Sequence, residues 1–346
     1  MVSMKALRLS DLFGLRLIVV AIFSTGFLCL SKGSINDGIS NSCHSTHFVS
    51  DSLGCEQHIN GSQWMKFLSD TLPMCKLSIA GTHDSGAIRG GRKLKTQSCG
   101  IDDQLMLGIR AFDIRLAKKN NQLGLFHSHA FQGVYWENDV LPILISFLKA
   151  NPSEALIVSL KKEGCVLDDY ASLMSACLRT PEYQQYFVAH YRPDLTLKEC
   201  RGKILFLHRD PAMEDYPGAA CIGWDDNSSC MLTLRSNSGH EGFVFLQDEY
   251  QYVSGKEGKK KIDACILNFN RINAEPFSSQ IGGISFVSAT ALPRGTPKDF
   301  ANAVNMPVAE YIARMRLRHC GIVFIDFIEY AGGKELVNCL IRSNSF

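Results

Sequence analysis

Eight short apolar runs constrain the fold of this chain more than any other feature. They lie at 76–81, 109–115, 122–127, 155–160, 203–208, 243–247, 284–289 and 321–326, each five to seven residues long and rich in Ile, Leu, Val and Phe. Runs of this length and composition are the pattern of strands buried on both faces. Longer stretches with helical spacing fall between and before them: 63–72, 141–149, 168–178, 256–272 and 301–316. The stretch 141–149 stops at Asn151-Pro152, where Pro disfavours continuation. Alternation of β and α, with no internal repeat and no Pro/Gly-rich linker, predicts one α/β domain closed as a (β/α) barrel. The region 212–242 has no clear pattern and is predicted to be mostly loop.

Three of the runs deliver chemistry at their ends. Leu77-Ser78-Ile79-Ala80-Gly81-Thr82 leads into His83-Asp84; Gly108-Ile109-Arg110-Ala111-Phe112 leads into Asp113-Ile114-Arg115; Leu123-Gly124-Leu125-Phe126 leads into His127-Ser128-His129. Barrels present catalytic groups at the C-terminal ends of their strands, and Gly81 grants close approach there. Two imidazoles that can move protons and a guanidinium that can hold a phosphate suit phosphodiester chemistry.

The formal charge of +2 gives no reason to expect a nucleic-acid partner. Lys5, Arg8 and Arg16 precede the apolar segment 17–30, which has the length of a signal h-region and is short for a membrane span. Residues 1–32 therefore read as a signal peptide, or alternatively as an uncleaved type II anchor, and the protein as secreted. Residues 33–55 read as an N-terminal lead tied down through Cys43 and Cys55, and 56–346 as the catalytic barrel. Of the thirteen cysteines, Cys29 lies in the signal, and the remaining dozen predicts up to six disulfides. Cys165/Cys177 and Cys221/Cys230 are near enough in sequence to pair locally; buried free thiols are the alternative. Asn60-Gly61-Ser62 and Asn227-Ser228-Ser229 are glycosylation sequons.

The segments SQWMKFLSDTLPMCKLSIAGTHDSGA, TQSCGIDDQLMLGIRAFDIRL, FLKANPSEALIVSLKKE, RGKILFLHRD, FVFLQDEYQY and GIVFIDFIE, in this order, resemble the catalytic X domain of phosphatidylinositol-specific phospholipase C in its bacterial-type, single-domain form. The resemblance spans most of 56–340. It implies a distorted TIM-type barrel that cleaves the glycerol–phosphate bond of phosphatidylinositol. The inositol 2-hydroxyl attacks phosphorus, giving diacylglycerol and a cyclic inositol phosphate.

Carried over residue by residue, the resemblance makes His83 the general base and Asp326 the carboxylate that orients it. His127 is the general acid, with His129 two residues on as the alternative, and Asp84 assists the acid. Arg115 stands where metal-dependent relatives place a calcium-binding carboxylate, so catalysis without calcium or any other cofactor is expected. Asp113, Lys161, Glu163, Arg209, Asp248 and Tyr250 match substrate-binding positions. A lipid substrate implies transient membrane contact by a monomer, for which Phe131, Tyr135 and Trp136 are candidate rim aromatics. Glycosyl-phosphatidylinositol anchors are a possible second substrate. The competing readings are a silent lipid- or inositol-binding relative and a glycerophosphodiesterase or sphingomyelinase D type enzyme.

Overall fold

A computed structural model describes residues 61–163, 169–210, 213, 216–330 and 332–344, together with the backbone of 47–50 and 56–59. The segments His47–Ser50 and Glu56–Ile59 form an antiparallel pair. The signal segment, most of the N-terminal lead and the first sequon lie outside the described residues. No described helix is long and apolar enough to cross a membrane.

Eleven further strands follow: β1 (Ser78–Thr82), β2 (Ala111–Lys119), β3 (Gln122–His127), β4 (Ala130–Tyr135), β5 (Leu156–Lys162), β6 (Ile204–His208), β7 (Ala219–Ile222), β8 (Ser229–Ser236), β9 (Glu241–Gln247), β10 (Gly282–Phe286) and β11 (Gly321–Ile325). Nine of them close a ring in the order β1-β2-β5-β6-β7-β8-β9-β10-β11, with β11 returning to β1. Each neighbouring pair is parallel except those made by β8, which runs against both β7 and β9. β3 and β4 are not in the ring; they form a hairpin paired to β2.

All eight apolar runs are strands, seven of them in the ring and 122–127 in the hairpin. The ring is completed by β7 and β8, so the region expected to be loop supplies two of its nine members. The reason is visible in β8, whose residues alternate between buried Leu232, Leu234 and Ser236 and the outward Met231, Thr233 and Arg235. A strand wet on one face has no continuous apolar run.

The residues of β1, β6, β10 and β11 are buried throughout, as strands between a packed interior and a helical jacket must be. Gly81 is needed in β1. A β carbon there would lie 2.9 Å from both Ala111 Cβ and a Phe324 ring carbon, so only glycine lets β1 sit this close to its neighbours. The helices α1 (Ile101–Met106), α2 (Leu141–Ala150), α3 (Tyr170–Leu178), α4 (Gly258–Ala274), α5 (Pro297–Met315) and α6 (Gly333–Arg342) pack around the ring. α5 starts on a capping box: Thr296 Oγ1 accepts from the Asp299 amide at 3.3 Å, and Asp299 accepts from the Thr296 amide at 2.8 Å. The stripe at 63–72 is a short 3-10 helix, Gly61–Phe67, with Trp64 and Met65 buried.

The disulfide expectation is overturned for the described residues. All nine cysteines among them are free, and six of these are buried. Cys221 and Cys230 show the physical reason. Cys221 pairs with Leu234 in the ladder, four residues along β8 from Cys230. Four residues of strand span about 13 Å, about twice the Cα separation that a disulfide tolerates. Cys177 is a free thiol buried on α3; Cys43, Cys55 and Cys165 lie outside the described residues.

Candidate active site

The carboxyl ends of the parallel strands surround a cavity of about 750 Å³. His83 follows β1 and Asp326 follows β11, adjacent parallel strands, so the two side chains meet: His83 Nδ1 lies 2.8 Å from Asp326 Oδ1. The other ring nitrogen, Nε2, lies 2.8 Å from Arg115 Nη2. A guanidinium only donates, so Nε2 carries a lone pair and Nδ1 carries the proton. His83 is thereby held as the neutral Nδ1–H tautomer with Asp326 accepting. Burial, and then the Arg115 charge, push the His83 pKa well below the usual 6.5.

Arg115 projects from β2 into a set of carboxylates. Its Nε and Nη2 each donate to Asp113 Oδ2 at 3.1 Å, and Nη1 lies 3.5 Å from Glu163 and 3.7 Å from Asp84. Burial opposes its charge, but Asp113, Asp84 and Glu163 outweigh that and raise its pKa. Asp113 is fully buried. Burial alone would raise its pKa, yet Arg115 and Arg209 hold it ionised, and it also accepts the Asp84 amide at 3.1 Å.

His127, the last residue of β3, places Nδ1 2.6 Å from the Leu94 carbonyl and 3.3 Å from Asp84 Oδ2. Its alternative, His129, does not reach Asp84. Ser128 turns into the left-handed region at φ 56°, ending the strand and leaving His129 exposed, with Nδ1 on the Ser128 hydroxyl. The two histidines therefore do not share one side of an extended strand. Burial, with Arg115 second, lowers His127 to about 4. Burial raises Asp84 to about 8 against the pull of Arg115. Together His127 and Asp84 keep one proton across the interval between those values.

The opposite wall carries the other expected residues. Arg209 Nη2 donates to Asp248 Oδ2 at 3.1 Å. Lys161 lies 3.8 Å from Glu163. The Tyr250 hydroxyl donates to Asp226 at 3.0 Å. The structure thus brings the expected site residues together at one cavity: His83, Arg115, His127, Lys161, Glu163, Arg209, Asp248 and Tyr250 line it, and the buried Asp84, Asp113 and Asp326 sit behind that lining.

Sequence reasoning missed three supports. Trp224 stacks on the Arg209 guanidinium at 3.6 Å and donates to Asp248 at 2.9 Å; it sits in the turn between β7 and β8, where no local pattern marked it. Gln97, fully buried, donates through one amide nitrogen to the His83 and Ile325 carbonyls at 3.1 and 2.7 Å, stapling the base strand to the carboxylate strand. Lys261 is buried on α4 and donates to the Glu249 carbonyl at 2.6 Å. Trp136, expected at the rim, is instead fully buried against Phe206. Phe131 and Tyr135 are half-buried and pack on each other, 5.2 Å apart. The exposed apolar side chain lining the cavity mouth is Leu292.

A scan of known protein families finds no match. The chain is 29% identical over 309 residues to a Listeria monocytogenes protein described as 1-phosphatidylinositol phosphodiesterase, covering 83% of this chain and 86% of the relative. A Staphylococcus aureus protein of the same description is 26% identical over 329 residues, 87% of this chain and 98% of the relative. The crystal structure of phosphatidylinositol-specific phospholipase C from Listeria monocytogenes superposes with a TM-score of 0.66 at 27% identity, covering 83% of this chain and 100% of that one. A Staphylococcus aureus phosphatidylinositol-specific phospholipase C structure gives 0.72 at 23% identity, over 83% of this chain and 98% of that one.

Proposed function

We propose that this chain, a relative of the bacterial 1-phosphatidylinositol phosphodiesterases, cleaves phosphatidylinositol by attack of the inositol 2-hydroxyl on phosphorus. One observation carries the reading: His83, Arg115 and His127 line one cavity, each with its own carboxylate partner. Arg115 Nη2 donates to the His83 Nε2 lone pair. A phosphate oxygen is a stronger acceptor for that guanidinium, so substrate binding frees Nε2 to take the 2-hydroxyl proton. The O2–P bond forms as the P–O bond to glycerol breaks, and Asp326 stabilises the imidazolium.

The leaving oxygen needs a proton, and the Asp84–His127 pair holds one. His127 Nδ1–H is committed to the Leu94 carbonyl, so only a protonated ring has an Nε2–H to give. The imidazolium gives that Nε2–H to the leaving glycerol oxygen, and Asp84 beside Nδ1 stabilises the ring while it carries the proton. Arg115 fills the space between Asp84, Asp113 and Glu163, the position a divalent cation would need, which supports catalysis without calcium.

Arg209, Asp248 and Tyr250 suit a polyol headgroup, with Trp224 fixing the first two. The cavity has room for an inositol that carries a glycan, which supports a second activity on glycosyl-phosphatidylinositol. The mouth, lined by exposed Leu292 and by Lys93, is the surface we assign to the bilayer. We also propose that the protein is secreted, resting on the apolar segment 17–30, and that it acts as a monomer; N-terminal sequencing of exported protein checks the first and light scattering the second.

The test is release of cyclic inositol phosphate from phosphatidylinositol vesicles in excess EGTA, followed by phosphorus NMR, with His83→Ala as control. Product in chelator that disappears in the variant is expected. Product only after calcium is restored would overturn the role given to Arg115. No product in either condition would overturn the reaction.

A further inference from the structure

A second cationic pocket lies at the opposite end of the barrel, where α5 and α6 finish. It measures about 330 Å³ and is lined by Arg316, Arg318 and Arg342, with Cys339 and Ser343 between them. All three arginines are exposed, and none makes a side-chain hydrogen bond or ion pair with another described residue. Arg316 holds a left-handed backbone, φ 50°, at the end of α5, a place that favours glycine.

Arginines near helix C-termini ordinarily serve to satisfy the last carbonyls. Here many of those are already met. Ile312 and Ala313 accept from the Arg316 and Leu317 amides. Cys339 accepts from the Ser343 amide at 3.0 Å. Leu340 accepts from Ser343 Oγ at 2.8 Å and Asn344 Nδ2 at 3.0 Å, and Ile341 from the Asn344 amide at 3.2 Å. The guanidiniums are therefore not claimed by these carbonyls.

Charge arithmetic selects the ligand class. The two helix termini contribute about −0.5 each, about −1 together, against three guanidiniums. That leaves a surplus of about +2 for a ligand to neutralise. The exposed Glu335, a turn up α6, acts on Cys339 together with Arg342, and counted in full it leaves a surplus of about +1, still of the sign that takes a phosphate. Guanidinium forks match phosphate oxygens in geometry as well as charge. We propose that this pocket binds a dianionic phosphate group, either free phosphate or a phosphate monoester, at a site separate from the catalytic cavity.

The inference stands apart from the catalytic reading, and its test separates the two. Inorganic phosphate and, separately, inositol 1-phosphate are titrated calorimetrically into the full chain in chloride buffer of fixed ionic strength. The same titrations are made with Arg318→Gln/Arg342→Gln and with Arg115→Gln. A saturable site that survives in Arg115→Gln and weakens at least tenfold in the double variant is expected. Peptide-resolved alkylation of the half-buried Cys339 locates it: phosphate slows the reaction several-fold in the parent and not in the double variant. Equal affinity for the two ligands makes free phosphate the occupant, and a tenfold preference for the inositol ester makes it the headgroup. No saturable uptake at about 10 mM phosphate, where even a millimolar site fills, would overturn the proposal. Binding lost in Arg115→Gln but kept in the double variant would overturn it equally. Exposed arginine substitutions cost little stability, so matching melting temperatures validate the comparison.

Discussion

Asp326→Asn isolates the charge that the site holds behind its base. In the parent, Asp326 Oδ1 accepts from His83 Nδ1–H at 2.8 Å, and Oδ2 is buried without a hydrogen-bond partner. An asparagine can keep its oxygen on Nδ1–H, which preserves the tautomer but leaves its NH2 where Oδ2 was. Flipped, the NH2 would force Nδ1 to accept and Nε2 to carry the proton, directly facing the Arg115 donor. The first orientation is therefore the one adopted, and the loss is electrostatic. Burial holds the Asp326 pKa well above the usual carboxylate value, but an imidazolium beside it favours the anion, and that negative charge about 4 Å from the imidazolium centre is worth about 4 kcal/mol at an effective dielectric constant of about 20. That is about a thousandfold in rate. We expect kcat on phosphatidylinositol vesicles to fall by about that factor, with KM changed less than about threefold, because Asp326 does not touch the headgroup. The acidic limb of the rate profile should move to lower pH, since removing the anion favours the neutral ring. A kcat within tenfold of the parent, in a variant whose melting temperature is unchanged, would refute the assignment of Asp326 as the counter-charge to His83.

Three further outcomes follow from the same geometry. The Asp84–His127 pair should lose its proton as pH rises through the Asp84 value of about 8, so kcat/KM should fall above that pH, and Asp84→Asn should move this alkaline limb to lower pH, because His127 then holds the proton alone. Trp224→Phe keeps a ring on Arg209 but deletes the 2.9 Å hydrogen bond to Asp248; a charged hydrogen bond of about 2 kcal/mol predicts a KM raised about tenfold or more with kcat little changed, and an unaltered KM would remove Trp224 from headgroup binding. Gly81→Ala must force a methyl to 2.9 Å from Ala111 and Phe324; overpacking of about 1–3 kcal/mol predicts a melting point lower by several degrees, and no change in thermal unfolding would show that β1 can shift freely.

The catalytic groups were legible in the sequence because each lies within or just after a continuous apolar run. His83, Asp113, Arg115 and Asp326 follow residues whose strand character comes from burial on both faces. Trp224 and Asp226 were not legible for the complementary reason: they follow β7, four residues long, and precede β8, which alternates. A strand with one wet face looks locally like loop when its polar half is Ser, Thr and Arg. Helix α6 was missed although Leu336, Val337, Leu340 and Ile341 form a plain apolar stripe; its pattern lay close to the chain end, past the last strand, where no following strand framed it. Cysteine number misled because counting thiols says nothing about their separation. Those in β7 and β8 occupy ladder positions fixed by the sheet, and the sheet keeps them apart.

The lone reversed strand has a dynamic corollary. β7, β8 and β9 follow one another through tight turns, so no helix is inserted between them, and Met231 and Phe243 remain exposed on this side of the ring. Elsewhere, opening the wall requires lifting a helix off it; here it requires only parting one antiparallel ladder. Amide protons of β8 should therefore exchange with solvent earlier than those of β1 or β11, through sub-global excursions that leave the rest of the ring closed. The turn that carries Trp224 and Asp226 rides on this seam. Breathing of the wall and access of a bulky headgroup would then be one motion rather than two.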